Sequence, residues 1–199
     1  MNPGHRGDCM TVLEQGLVRY SIDTRMSQFT VQAFASGLIS AVAHSPRIAI
    51  RDWSGEVSFA QGTLRNAKLA VKIKAASLEV LDELREQDRR ELQRVMNSEV
   101  LESARYPEIA FESSAIGADK LKEDLFRVNV EGRLALHGIT NSHSFVGQVA
   151  FGVDTLRAYG EFTLLQSDYS IKIASIAGAT LKLQDELKFV FYVIGRKKP

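Results

Sequence analysis

Residues 126–136 read FRVNVEGRLAL, and this stretch decides the fold class. Its apolar and polar side chains alternate, so that one face carries Phe126, Val128, Val130, Leu134 and Leu136. An alternation of period two is typical of a β-strand, because successive side chains of a strand point to opposite faces of the sheet. The opposite face carries Arg127, Asn129, Glu131 and Arg133. The stretch therefore predicts a strand with one buried and one solvated face, as antiparallel sheets have.

The same alternation recurs along most of the chain. We count about eight or nine such runs, among them residues 28–34, 69–75, 145–151 and 187–193. Turn residues separate many of the runs. The predicted turns are Gln61-Gly62, Gly117-Ala118-Asp119 and His137-Gly138.

One segment breaks the alternation and predicts a helix. From Leu78 to about Leu101 the apolar residues recur three or four positions apart among many charges, as at Leu92, Val95 and Met96. The helix is expected to end before Tyr106-Pro107, because a proline restricts the residue that precedes it. Arg85, Arg89 and Arg90 are expected on its solvated face, where a lipid headgroup or a partner is an open alternative.

Length and composition favour one ordinary globular domain. All-β domains of about 200 residues are common, and this chain has 199. We divide it into an irregular lead-in, residues 1–17, and one β domain, residues 18–199. Apolar residues make up 45% of the chain and charged residues 25%, which argues against disorder. The net charge of +1 gives no reason to expect a nucleic-acid partner.

Strands of this length favour a closed barrel, since closure removes exposed sheet edges. A barrel of about eight strands either fills with side chains or encloses one ligand. Both alternatives, a solid core and an apolar bore, stay open from periodicity alone. If the bore is hollow, the residues expected to line it and contact a ligand are Phe29, Val31, Ile50, Trp53, Phe59, Val71, Ile73, Phe111, Leu134, Leu136, Phe162, Phe189 and Phe191.

The candidates for chemistry are few. His44, His137 and His143 lie near inferred turns and form a metal site only if those turns converge. His137 shares its face with charged residues, which predicts a solvent-exposed side chain. Cys9 stands alone and is interpreted as an inert thiol. Asp168 is interpreted as a turn residue, and no nucleophile elbow is present.

Seven segments, taken in order, carry a resemblance to a known family. They are Tyr20–Asp23, Ser27–Val31, Ser54–Val57, Ala76–Leu78, Tyr106–Ser113, Gly132–Thr140 and Gln166–Ile171. Together they resemble the YceI-like family, the lipocalin-like polyisoprenoid-binding domain, from about Arg19 to Arg196. The chain departs from the family pattern at Ile39–Pro46, a loop that we expect near the mouth of the bore.

The resemblance implies an all-β fold: an extended, antiparallel, eight-stranded lipocalin-like β-barrel with one inserted α-helical segment. It implies a long-chain isoprenoid or lipid-like ligand in the bore, and a homodimer. We therefore expect a binding protein without a cofactor, rather than an enzyme. A metal-dependent enzyme that uses the turn histidines and a solid-core module that binds a partner are the alternatives.

The expected location is the cytoplasm. Many members of the family are secreted, but the N-terminal residues contain no apolar run of the kind that a signal peptide has. No stretch approaches about 18 consecutive apolar residues, so no transmembrane segment is expected. Met10 is an alternative start.

Overall fold

A computed structural model gives the structure of the chain and describes residues 16–36, 45–60, 64, 66–172, 175–176 and 181–199. Within these ranges the chain forms twelve strands and one α-helix, α1, Glu86–Val95. The strands are β1 Leu17–Ile22, β2 Gln28–Ser36, β3 Arg47–Ile50, β4 Trp53–Ala60, β5 Lys68–Lys74, β6 Leu78–Val80, β7 Glu108–Lys122, β8 Leu125–Leu136, β9 Ile139–Phe151, β10 Thr155–Leu165, β11 Ser175–Ile176 and β12 Leu181–Lys197. The predicted lead-in falls almost wholly outside the described residues and stays a prediction.

The strands close into an eight-stranded antiparallel barrel, as predicted. We call each of the eight positions around the barrel wall a stave, and three staves are each built from two short strands in line. The first stave consists of β1 and β2, which both pair with β12. The second consists of β3 and β4, which pair with the first, and the third consists of β5 and β6, which pair with the second. β7, β8, β9 and β10 follow as a meander. β12 then pairs with β10 on one edge and with β1 and β2 on the other, which closes the barrel.

The long hairpin strands follow the predicted alternation. In β8, Val128, Val130 and Leu136 are buried, while Arg127 and Glu131 are exposed. The predicted turn after β8 is confirmed: His137 and Gly138 have φ of +52° and +76°. Two successive positive φ values match the right-handed twist of the flanking strands, as in the type I′ turns that join hairpins.

The predicted turn at Gly117-Ala118-Asp119 is wrong. These residues lie inside β7 and pair in order with Asn129, Val128 and Arg127 of β8. The strand continues to Lys122, and the hairpin turns at residues 123–124. The physical reason is that strand pairing uses backbone groups, which a glycine has like any other residue, and Gly117 pairs with Asn129 without interruption. The turn predicted at Gln61-Gly62 lies outside the described residues.

The predicted helical segment begins too early. Leu78–Val80 is a strand that pairs with β3, with Leu78 and Val80 buried and Glu79 exposed. The α-helix covers Glu86–Val95, and one turn of π-helix extends it through Val100. The early residues are strand because they bury their apolar side chains two positions apart and not three or four.

The barrel interior holds two apolar clusters, one toward each end. The helix-side cluster includes Trp53, Leu78, Met96, Leu101 and Leu136, with Leu84 and Leu92 packed against it. The opposite cluster ends in four aromatic rings that contact one another, which we call the aromatic plug: Tyr20, Phe59, Phe126 and Phe151. The Tyr20 and Phe59 rings stack with their centroids 5.6 Å apart. The helix and the aromatic plug therefore lie toward opposite ends of the barrel.

A glycine in the wall makes room for one of the interior rings, which yields a prediction. A Cβ on Gly132 would stand 2.5 Å from Cζ of Phe111 and closer still to the backbone oxygen of Glu112. We expect Gly132→Ala to lower the free energy of unfolding by about 2 kcal/mol, because overpacking a fitted interior displaces side chains and backbone. Denaturation by urea measures this value.

Gly117→Ala is the matched control, since its Cβ would meet no atom within 4 Å. It should leave the stability nearly unchanged or raise it slightly. Equal losses of stability in the two variants would contradict the packing argument.

Candidate ligand cavity

The two clusters surround a cavity that runs through the barrel interior. Its volume is about 270 Å³. Every residue that the sequence analysis assigns to the bore lies in its lining: Phe29, Val31, Ile50, Trp53, Phe59, Val71, Ile73, Phe111, Leu134, Leu136, Phe162, Phe189 and Phe191. That these side chains contact a ligand stays a prediction. Period-two alternation was enough to find them, because it fixes which face of each strand turns inward.

Aromatic rings form the walls of the middle of the cavity. Phe162 and Phe189 are paired across β10 and β12, and their rings stack 4.8 Å apart with an interplanar angle of 2°. Phe29 meets Trp53 and Phe191 edge to face, at 5.7 and 6.3 Å. Such contacts hold the rings rigidly in place. The cavity therefore has a defined shape, with walls that offer mainly carbon to whatever occupies it.

The helical segment supplies a part of the lining that the sequence analysis did not assign. Residues of α1 and of the turn after it line the cavity beside the strands: Leu92, Val95, Met96, Val100 and Leu101. The signal that finds them is the helical spacing itself, since it sets these residues on one face. The opposite face is exposed and carries ion pairs, with Arg85 bound to Asp88 at 2.7 Å and Arg90 to Glu86 at 2.7 Å. These arginines are thus already paired with carboxylates.

Besides this apolar packing, the side chain of Gln93 joins the helix to the barrel by hydrogen bonds. Gln93 donates from Nε2 to the backbone oxygen of Leu78 at 2.6 Å, and its Oε1 accepts from the backbone N–H of Val80 at 3.3 Å. The amide thus bonds the edge of β6 as a neighbouring strand would. This arrangement satisfies backbone groups that would otherwise be left open at the end of the sheet.

The polar side chains in the cavity lining differ in their bonding. Gln166 is buried, and its amide donates to the backbone oxygens of Gln184 and Asp185 at 3.0 and 3.4 Å. Gln148 reaches the lining, but its side chain is largely exposed. His143 lies within β9, lines the cavity and meets the Phe162 ring edge to face at 5.0 Å. Burial lowers the pKa of His143 below its ordinary value.

The prediction that His143 lies near a turn does not describe its position well, because the residue lies within a strand. It lies four residues into β9, on the inward face that it shares with Phe145, Gly147 and Val149. Extending the alternation of 145–151 back by two positions would have found it. The strand was not extended this far because Ser142, His143 and Ser144 are all polar. Ser142 and Ser144 are nevertheless outward residues of the strand, which are expected to be polar.

His137 is at the predicted turn, but its expected exposure is wrong. Only 9% of its side chain is exposed. Nδ1 lies 3.1 Å from the backbone oxygen of Tyr169, and the ring packs on Tyr106 with centroids 4.5 Å apart. Nε2 lies 3.3 Å from a carboxylate oxygen of Glu102. The alternation failed here because β8 ends at Leu136, and a left-handed backbone turns the next side chain toward the barrel.

The structure does not bring His137 and His143 together. His143 lies four residues beyond Ile139, the start of β9, so about 13 Å of extended chain separates it from the strand end beside His137, whereas two nitrogens that bind one zinc ion lie only about 3 to 4 Å apart. Within the described ranges, no group of three or more His, Cys, Asp or Glu side chains is arranged to hold a metal ion. His44 lies outside the described residues.

Comparison with known proteins assigns the chain to a family. A family model described as the YceI-like domain matches residues 20–193. The chain belongs to the YceI-like family. This YceI-like chain matches no curated protein significantly. None of the helices in the described part of the chain has the length and apolar character that crossing a membrane requires.

Solved structures share the fold of this YceI-like chain. BcnA of Burkholderia cenocepacia matches with a TM-score of 0.68 and 18% identity, over 87% of this chain and 98% of its own. A polyisoprenoid binding domain from Saccharophagus degradans, implicated in plant cell wall breakdown, matches with a TM-score of 0.66 and 15% identity, over 90% and 98%. A YCEI protein of Campylobacter jejuni matches with a TM-score of 0.59 and 18% identity, over 76% and 85%. At these identities the likeness concerns the fold.

The lowered pKa of His143 gives the cavity a signature in the pH dependence of stability. In the unfolded chain this imidazole takes up a proton near its ordinary pKa of about 6.5, and in the folded chain only at lower pH. The unfolded state then binds more protons below about pH 6.5, so acidification lowers the free energy of unfolding. We expect His143→Leu to remove this contribution. Urea denaturation between about pH 5 and about pH 8 measures it.

The stability difference between His143→Leu and the wild type should grow in favour of the variant as the pH falls below about 6.5, and stay constant above about 7.5. Phe145→Leu, at the next inward position of β9, should keep the pH dependence of the wild type. If the free energy of unfolding depended on pH in the same way for His143→Leu and the wild type, the prediction would be wrong, because His143 would then have the same pKa in the folded and unfolded chains.

Proposed function

We propose that this YceI-like barrel binds a long-chain isoprenoid or similar lipid-like molecule in its interior and carries, stores or senses it. The observation that supports this most is the apolar cavity of about 270 Å³, enclosed between the helical segment and the aromatic plug. The relative from Saccharophagus degradans is described as a polyisoprenoid binding domain, which favours the isoprenoid class.

The cavity lining explains how such binding would gain its free energy. The described lining residues carry no carboxylate and no lysine or arginine. Each methylene that enters an apolar environment contributes about 0.8 kcal/mol. A prenyl chain of many carbons would thus be held by burial alone, and the stacked rings would select a long, thin shape.

The structure favours this function over the two alternatives. A solid-core module would fill its interior with side chains, whereas this barrel retains a cavity between its clusters. A metal-dependent enzyme built on the turn histidines would bring His137 and His143 close together, whereas His137 lies in the turn before β9 and His143 lies four residues into that strand. A binding protein without catalysis accounts for an apolar cavity more simply.

The homodimer that the family resemblance implies is part of the proposal. Tyr159 and Tyr192 are paired across β10 and β12 and stand half exposed on the outer wall, near the exposed Val146. Exposed apolar groups that lie close together are common in protein interfaces. This outer face is the surface of the barrel that we would expect a second copy to contact.

Purification of the full chain under mild conditions, followed by native mass spectrometry, tests the proposed function. The wild type should carry a bound lipid, recovered by solvent extraction as a long-chain molecule. Ala158→Phe should lose it, because Ala158 lines the cavity and packs against both clusters, so a ring there would block the middle of the bore.

Ala70→Phe is the matched control, because Ala70 is exposed on the outside of β5. It should retain the lipid at wild-type occupancy. Overpacking costs about 1 to 3 kcal/mol, so a thermal melt must first show that Ala158→Phe is folded. A folded Ala158→Phe with wild-type occupancy, or a wild type without any bound lipid, would overturn the proposed function.

A further inference from the structure

His143 places a hydrogen-bonding group inside a cavity that is otherwise lined by carbon. The residue lies in the interior of β9, between the helix-side end and the aromatic plug, and faces the cavity beside Phe145 and Phe162. Its Nε2 is buried, and no side-chain or backbone group of the described residues hydrogen-bonds to it. A buried polar atom without a partner destabilises a fold by about 1 to 3 kcal/mol, so its presence calls for an explanation.

The other polar groups at or near the cavity have partners or lie elsewhere. Of the described residues, three contribute a buried side-chain atom without a hydrogen bond, namely Asn97, His137 and His143, and of these only His143 lines the cavity. Nε2 of His137 faces the Glu102 carboxylate. The amide of Gln166 is engaged by backbone oxygens of the β12 stave. Gln148 also reaches the lining, but its side chain is largely exposed. His143 is therefore the residue of the described lining whose buried polar atom lacks a hydrogen-bond partner.

The position next to His143 on β8 is a glycine. His143 pairs with Gly132, so no side chain projects from that position of the neighbouring strand. The Phe111 ring lies over this glycine, and the Phe162 ring lies against the imidazole. Apolar groups thus surround the imidazole on these sides, and the residue also lines the cavity.

We propose that Nε2 of His143 hydrogen-bonds a neutral oxygen of the ligand, a hydroxyl or a carbonyl, so that the cargo is an isoprenoid-like lipid whose oxygen lies inside the bore. This inference rests on the proposed function and specifies the ligand class of that cavity. It separates such a lipid from a bare hydrocarbon, which would leave Nε2 unpaired, and from a phosphate ester buried at the same depth.

Charge excludes the phosphate ester at this place. The described lining residues include no lysine or arginine, and burial favours the neutral form of His143. An anion moved into such surroundings would lose its hydration without gaining a counter-charge, which is very costly. A hydroxyl can donate to the imidazole or accept from it, and a carbonyl can accept from a protonated Nε2. A hydroxyl therefore fits either tautomer, and a carbonyl fits the tautomer that carries its proton on Nε2.

The test compares three probes with one branched C20 skeleton: phytanol, phytane and phytanyl phosphate. Each is delivered from cyclodextrin, and its affinity is measured by displacement of a fluorescent apolar dye from the purified full chain. The readout is the ratio of phytanol affinity to phytane affinity. Loss of one hydrogen bond corresponds to a change of about two- to tenfold, so His143→Leu should lower this ratio by that factor.

Two further variants make the result specific. His143→Gln retains a donor and an acceptor, and it should recover at least part of the ratio. Phe145→Leu trims the next inward side chain of β9 without removing a polar atom, so it should change both affinities alike and leave the ratio unchanged. His143→Phe replaces His143→Leu if a thermal melt shows the leucine variant to be unfolded.

The outcomes separate the two proposals. A wild type that binds none of the probes would overturn the proposed function and this inference with it. A wild type that binds phytanol and phytane, with a ratio that His143→Leu and His143→Phe leave unchanged, would overturn only the role of His143. Phytanyl phosphate bound more than about tenfold tighter than phytanol would overturn the neutral-oxygen assignment.

Discussion

The last long strand, β12, hydrogen-bonds along both of its edges, and the rest of the molecule depends on this. On one edge it pairs with β10 from Leu165 to Thr155, and on the other with β2 and then β1. Because the first and last staves meet, the sheet encloses an interior and no long edge is left open. In a closed barrel one face of every stave lines the same cavity, so the alternation along each strand identifies the residues that line it.

Closure also explains which features could be predicted from the sequence. Phe162 and Phe189 were assigned to the bore from alternation alone, and the register of β10 and β12 places them side by side in its lining. The strand Leu78–Val80 was not found, because three residues are too few to show a period and the charged helix follows closely. The alternation of side chains also did not show that Gly117 belongs to a strand, since glycine is common in turns.

The hollowness of the barrel is a matter of register, which no single strand reveals. A Cβ on Gly160 would stand 2.5 Å from Cζ of Phe191, a residue that it opposes directly across β10 and β12. The Phe111 ring lies against another glycine, Gly132, although Phe111 itself pairs with Leu134. The two rings thus lie close to the wall. Whether a set of inward phenylalanines fills a barrel or leaves a bore depends on which of them lie against glycines, and this follows only from the pairing of strands.

The two histidines that the structure describes show how position decides the role of a side chain. His137, beyond the end of β8, is held by Tyr169 and Tyr106 and ties the hairpin to neighbouring turns. His143, within β9, has no such partner and faces carbon. A leucine at the second position would satisfy the packing and spare the cost of a buried, unpaired nitrogen. A polar group that the fold would be more stable without is therefore better explained by what the cavity holds than by what the barrel requires.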